Sequence, residues 1–232
     1  MKRWLERVSG ALPVYAWLPL AAAFAWNMLV YNGVRLINAD RTYYNLASGL
    51  DEKIPLISGF VVIYILAFVQ WIIGYVLAGR EGREFCFQYV GADIVAKTLT
   101  CICFLAVPTM LPRPELTGGG LMNGLLSLIY RLDAPNNLFP SIHCLESWFC
   151  LRTAWKLKKV PGWYRVGTSV MTLLVFASTV CLKQHILIDI PGGILVLELG
   201  LLLVKPLRVD RLLQSGADWF AGLVDRWSGK VC

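Results

Sequence analysis

The sequence predicts an all-α polytopic membrane protein: six transmembrane helices, interfacial helices at both ends, and a structured external loop between helices 3 and 4. Three observations predict it. The chain is 57% hydrophobic and 16% charged, with a mean hydropathy of +0.59, where soluble domains carry about 25% charged residues. Its apolar residues fall into six blocks near the roughly 20 residues that cross a bilayer. Its basic residues crowd onto one side of the topology those blocks imply.

The elements follow in chain order. "MKRWLERVSGAL" sets Trp4, Leu5, Val8 and Leu12 at helical spacing and reads as an interfacial helix. The first span covers about 12–34. Lys2, Arg3 and Arg7 ahead of it and "AFA" at 23–25 imitate a signal peptide, but the apolar run continues through "WNMLV", so an uncleaved helix is expected. The second span, about 54–78, has no charge and is the clearest. The third covers about 90–111. A long external loop, 112–140, follows with "PRPELTGGG", an apolar stretch "LMNGLLSLIY" and the turn-rich "LDAPNNLFP". The fourth span, about 141–157, is interrupted by Glu146 and Arg152. The fifth and sixth cover about 163–182 and 186–204. "RLLQSGADWFAGLVDRW" then reads as a second interfacial helix. The whole chain, 1–232, is one membrane domain, with interfacial segments at 1–11 and 205–232.

With both termini inside, fourteen Lys and Arg fall on the cytoplasmic side and six on the other. That asymmetry sets topology and lipid contact, and it turns the net charge of +7 away from nucleic acid. Seven cysteines show neither a disulfide framework nor zinc spacing. The nine Trp, nine Tyr and ten Phe read as interfacial belt and core.

Chemistry concentrates in three segments that this topology places on the external side: "VPTMLPRPEL" (107–116), "FPSIHC" (139–144) and "STVCLKQHILID" (178–189). Only two histidines exist, and both lie here. His143 opens the fourth span, with Ser141 as N-cap after Pro140. His185 opens the sixth, and Asp189 lies one turn on, where a carboxylate fixes an imidazole's tautomer. Helix N-termini, Arg113 and Lys183 add donors suited to phosphate. This is the composition of a phosphoryl-transfer site.

At these residues the chain resembles the type 2 phosphatidic acid phosphatase superfamily of membrane lipid phosphatases and phosphotransferases. That family shows K-x6-R-P, P-S-G-H and S-R-x5-H-x3-D. Here Arg113-Pro114, Pro140-Ser141-Ile142-His143, and Ser178-Thr179 with His185 and Asp189 keep the order and spacing, and Gly193 also fits. The likeness runs from about 97 to 193 and implies a six-helix catalytic core. It implies His185 as nucleophile through a phosphohistidine, Asp189 as its orienting partner and His143 as acid and base. Arg113, Ser141, Ile142 and Lys183 become the expected phosphate-binding positions. Ala106 stands where the family has lysine, Ile142 where it has glycine and Thr179 where it has arginine. Lys183 is expected to replace the lost charge.

The expected function is hydrolysis of a lipid phosphate or diphosphate at the external face of the plasma membrane, with membrane lipids as surroundings and no cofactor. Transfer to an alcohol, as in sphingolipid synthases and inositol phosphotransferases, is the alternative that Ile142 keeps open. Hydrolysis is favoured because no second binding pocket is legible. Two other readings compete. His143, His185 and Asp189 could form a metal triad, though Arg and Lys nearby oppose a cation. Asp93, Lys97, Glu146 and Glu198 could mark a transporter's path. Asp93 and Lys97, at i,i+4, read more simply as a self-neutralising pair, and Glu146, one turn after His143, as its orienter or a structural hydrogen bond.

Overall fold

A computed structural model describes residue 10 and residues 12–228. The described residues form helices and loops without a β-strand; two isolated bridges, Tyr44 with Thr109 and Met110 with Asn136, tie loops together. The helices are α1 (Val14–Ile37), α2 (Gly49–Lys53), α3 (Ser58–Glu81), α4 (Arg83–Ala106), α5 (Leu121–Leu132), α6 (Ile142–Lys156), α7 (Gly162–Cys181), α8 (Asp189–Leu203) and α9 (Val209–Ser228).

Four of these, α1, α3, α4 and α7, are long and apolar enough to cross a membrane. The expectation of six spans is thus met at four. The remaining two, α6 and α8, have 15 residues each, about 22 Å at 1.5 Å per residue, against a hydrocarbon core of about 30 Å. Their shortness has a local cause. Both begin within the site segments, so the chain just before each is spent on turns rather than helix. For α8 the helix starts at Asp189, three residues later than the apolar pattern suggests.

Helix α4 is the centre post, the most buried of the four long helices. It packs against α1, α3, α6, α8 and α9. Small residues permit the closest approaches: a Cβ on Gly200 of α8 would stand 2.2 Å from the Ala92 carbonyl oxygen of α4. Gly82 alone joins α3 to α4, at φ +153°, a value that side chains rarely allow. Between α3, α4, α6 and α8 lies a core that includes Ala96, Leu145, Phe149 and Leu197. A charged cluster is sealed beside it. Lys97 Nζ reaches Asp93 at 2.8 Å and Glu146 at 2.7 Å, and the Tyr75 hydroxyl donates to Glu146 at 2.7 Å. Glu146 therefore turns to α3 and α4 rather than to His143.

Hydrogen bonds show which helix ends share a side. Ile57 N donates to Cys181 O, Tyr44 N to Pro108 O and Ser141 N to Asp189 O. At the opposite end Lys158 N meets Glu81, and Arg83 pairs with Asp218 of α9. The expected C-terminal interfacial segment is the 20-residue helix α9. It buries Ala217 and packs Leu213 against the α1–α4 contact, while Trp219 stays exposed. The N-terminal one, 1–11, lies outside the described residues apart from Gly10.

Candidate active site

His185 sits in the tight turn between α7 and α8. Lys183 adopts a left-handed φ of +52°, and the chain then folds back so that the backbone amides of Gln184 and His185 both donate to Thr179 O at 3.0 Å. Thr179 is fully buried and its hydroxyl donates to Phe176 O at 2.8 Å, so the residue in the arginine position closes a helix end. Asp189, the first residue of α8, points back under the turn. Its Oδ2 meets His185 Nδ1 at 3.0 Å and accepts from Ile186 N at 3.1 Å. A carboxylate on Nδ1 holds the proton there and leaves Nε2 as the free nitrogen.

His143 is the second residue of α6. Ser141 caps that helix, its Oγ accepting from Cys144 N at 3.3 Å. The capping role anticipated from Pro140-Ser141 is present, and the serine is wholly buried. The His143 ring stacks on Tyr64, centroids 4.5 Å apart and planes 28° from parallel, with Trp71 at 5.2 Å. Its centroid is 5.6 Å from that of His185. Its Nε2 is buried without a partner.

The two imidazoles share a cavity of about 330 Å³. Tyr64, Phe68, Trp71, Ile142 and Leu138 form much of its wall, with Asn27, Asn136, Asn137 and Gln184 adding amides. Asp133 also lines it, and accepts from the hydroxyls of Tyr31 and Tyr64. Tyr31 is carried by a π-helical turn in α1, Leu29–Gly33, an irregularity often found at functional sites. Met28, Phe68 and Leu132 line the cavity and are also exposed on the helix surface, at 40%, 44% and 69%. The cavity thus has an apolar rim among α1, α3 and α5.

The two cations face elsewhere. Arg113 donates to the carbonyls of Tyr130 and Asp133 and to Gln184 Oε1, and lies over the Tyr130 ring. Lys183 Nζ donates to Asp51 O at 2.8 Å. Lys183 and His185 line a second cavity of about 250 Å³ with Asn45, Asp51 and Glu52. His185 therefore stands between two cavities.

Asp51 went unread in the sequence, although "SGLD" at 48–51 is a capping-box pattern. Its Oδ1 accepts from Leu187 N at 2.7 Å, and its Oδ2 from Ser48 N and Oγ. Burial pushes this carboxyl up, but those donors outweigh it and hold it below its ordinary value. Gln184, Asn137 and Asp133 were also unread, because polar residues in turns carry no periodic signal. Among the described residues no cluster of three or more His, Cys, Asp or Glu has metal-holding geometry.

No curated protein and no solved structure matches the chain. A family model does: that of the PAP2 superfamily, over residues 45–203. The matched stretch runs from just before α2 to the end of α8, and so includes both histidines, Asp189 and the loops that hold them. By that match over more than half its length, the chain belongs to the PAP2 superfamily, whose members carry out phosphatase- or phosphotransferase-type chemistry.

Proposed function

We propose that this membrane protein hydrolyses a lipid phosphate or diphosphate through a phosphohistidine on His185. One observation carries the reading: two imidazoles face each other at 5.6 Å across a single cavity, and one of them has its Nδ1 held by a buried carboxylate. His185 Nε2 attacks phosphorus while the bond from phosphorus to the lipid oxygen breaks. Protonated His143 gives its proton to that oxygen, and the lipid leaves. Neutral His143 then takes a proton from water, which attacks the phosphohistidine and releases inorganic phosphate. The apolar rim at Met28, Phe68 and Leu132 supports a substrate whose tail stays in the bilayer.

The second cavity favours a second reading, phosphotransfer. A hydroxyl acceptor in place of water needs its own room beside His185, and the pocket with Asn45, Glu52 and Lys183 offers it. In either case we place α6 and α8 as the fourth and sixth spans, both termini in the cytoplasm and the site at the external face of the plasma membrane.

Phosphate release by purified protein from dioleoyl phosphatidate, ceramide phosphate and an isoprenyl diphosphate, with EDTA present, tests the reading. Release from at least one is expected. A labelled lipid product that outpaces free phosphate when diacylglycerol, ceramide or inositol lipid is added selects transfer instead. Reporter fusions at 80–84 and 156–160 should read cytoplasmic.

A further inference from the structure

A phosphoryl group between His143 and His185 needs hydrogen-bond donors for its oxygens, and the sequence assigns that task to Arg113 and Lys183. The structure gives both other work. Among the described residues, no lysine or arginine lines the cavity that the histidines share. What does face it is a pair of neutral amides that are more than nine-tenths buried: Gln184, 2% exposed, and Asn137, 4% exposed. In each, one side-chain nitrogen, Gln184 Nε2 and Asn137 Nδ2, has no partner.

An amide's oxygen and nitrogen are told apart by their neighbours, and here the neighbours decide. Arg113 can only donate, and it donates to Gln184 Oε1, which leaves the NH2 for the cavity. A longer chain fixes Asn137. Arg41 donates to Asn38 Oδ1 at 3.2 Å, and Asn38 Nδ2 donates to Phe104 O at 2.9 Å and to Asn137 Oδ1 at 3.4 Å. Asn137 therefore also turns its NH2 inward. Its loop is pinned from behind, since Asn137 N donates to Thr109 O, and Leu138 N and Phe139 N to Thr109 Oγ1. The cavity's carboxylate, Asp133, is occupied by two tyrosine hydroxyls.

The geometry points to Gln184 and Asn137 as the donors that hold the phosphoryl oxygens, with Arg113 acting through Gln184 as a positioning residue. This rests on the phosphoryl-transfer reading of the cavity. Two buried arginine-anchored amides with open N–H groups replace the cations missing at Ala106 and Thr179. A buried donor without a partner is costly in a resting protein, and phosphate oxygens supply the missing acceptors.

The test uses the full-length protein, the three lipid phosphates named above, and inorganic orthovanadate as a probe of the five-coordinate phosphorus geometry. Gln184→Glu keeps an acceptor for Arg113, so the fold holds, but it turns an oxygen toward phosphate. A 10²- to 10³-fold loss in kcat/KM is expected, typical of one lost oxyanion donor, with a parallel loss of vanadate inhibition and an unchanged melting temperature. Asn137→Asp should behave likewise. Arg113→Ala should resemble Gln184→Ala, and the double variant should be no worse than the worse single. Multiplicative losses would show Arg113 on the phosphate itself and overturn its positioning role. Wild-type turnover with Gln184→Glu and Asn137→Asp within threefold of it overturns the donor assignment alone. No wild-type turnover on any of the three lipids overturns the phosphatase reading, and if vanadate also fails to bind, the amide site falls with it.

Discussion

The His143 ring lies on the Tyr64 ring at 4.5 Å, while the Tyr64 hydroxyl donates to Asp133 at 3.0 Å. One tyrosine thus sets the plane of the His143 ring and ties it to the loop before α6. Aromatic pairs contribute about 0.5–1.5 kcal/mol beyond burial, and a lost hydrogen bond to a charged group about 1.5–3. Tyr64→Phe should keep the ring contact and lose thermal stability more than kcat. Tyr64→Ala should release the imidazole and cut kcat by about tenfold or more. Steady-state kinetics beside melting curves will separate the two.

The division of labour proposed for the two histidines predicts a covalent signature. His185→Ala should never become phosphorylated. His143→Ala should still be labelled by a diphosphate lipid, a good leaving group, and then lose phosphate slowly, so that acid-labile label accumulates. On a monoester it should scarcely react, with a loss of roughly 10²- to 10⁴-fold. Mass spectrometry of intact protein measures the label; label on the His185 variant and none on the His143 variant would exchange the roles. Asp189→Asn should either turn its NH2 toward His185 Nδ1 and lose Ile186 N, or keep both contacts without the charge that steadies the imidazolium, with a loss in the same range.

Gly193 brings the helices that carry the site into contact. A Cβ there would stand 2.6 Å from Ser141 O and 2.9 Å from Leu145 N, both backbone atoms that cannot swing away. Gly193→Ala should therefore push α8 off the start of α6, at a cost of about 1–3 kcal/mol, and lower kcat more than its effect on stability explains. Gly200→Ala, against Ala92 O of α4, strains the same helix away from the histidines. It should lower the melting temperature and spare kcat in the protein that remains folded.

The Asp51 carboxylate links the α2 segment to the His185 turn. Its folded value is below the ordinary 3.8, so its contribution is complete above that value and is lost as pH falls through the folded one. Melting temperature should fall in acid more steeply for wild type than for Asp51→Asn, with the gap between the curves closing only below about pH 4. Parallel curves would remove Asp51 from the acid response.

How far this could be read in advance varies by residue. His143, His185 and Asp189 were legible because their spacing repeats a family pattern and both histidines open helical runs. The α-class was legible from the uncharged block that became α3. Helix ends were less so: hydropathy averages over several residues, whereas the start of α8 is set by the Asp189 carboxylate accepting from Ile186 N. Arg113 was legible from its place before Pro114, but its partners, the Tyr130 and Asp133 carbonyls and Gln184, were not, because they lie in turns without periodic signal. Gln184 and Asn137 were invisible, since an amide's direction depends on arginines 71 and 96 positions away in the chain.

The sealed Lys97 cluster bears on how such a site can change over time. Lys97 of α4 binds Glu146, one turn beyond His143 on α6, with both side chains buried. Removing one partner of such a buried pair costs about 3–5 kcal/mol, so the rotation of α6 is set by charge and not by the shape of the cavity that His143 lines. The aromatic and amide walls of that cavity are then free of the duty of aligning the helix. Substitutions at Leu138 or Ile142 can reshape the cavity while α6 keeps the rotation that turns His143 toward His185. The shape of the cavity and the rotation of α6 are, in this fold, separately heritable.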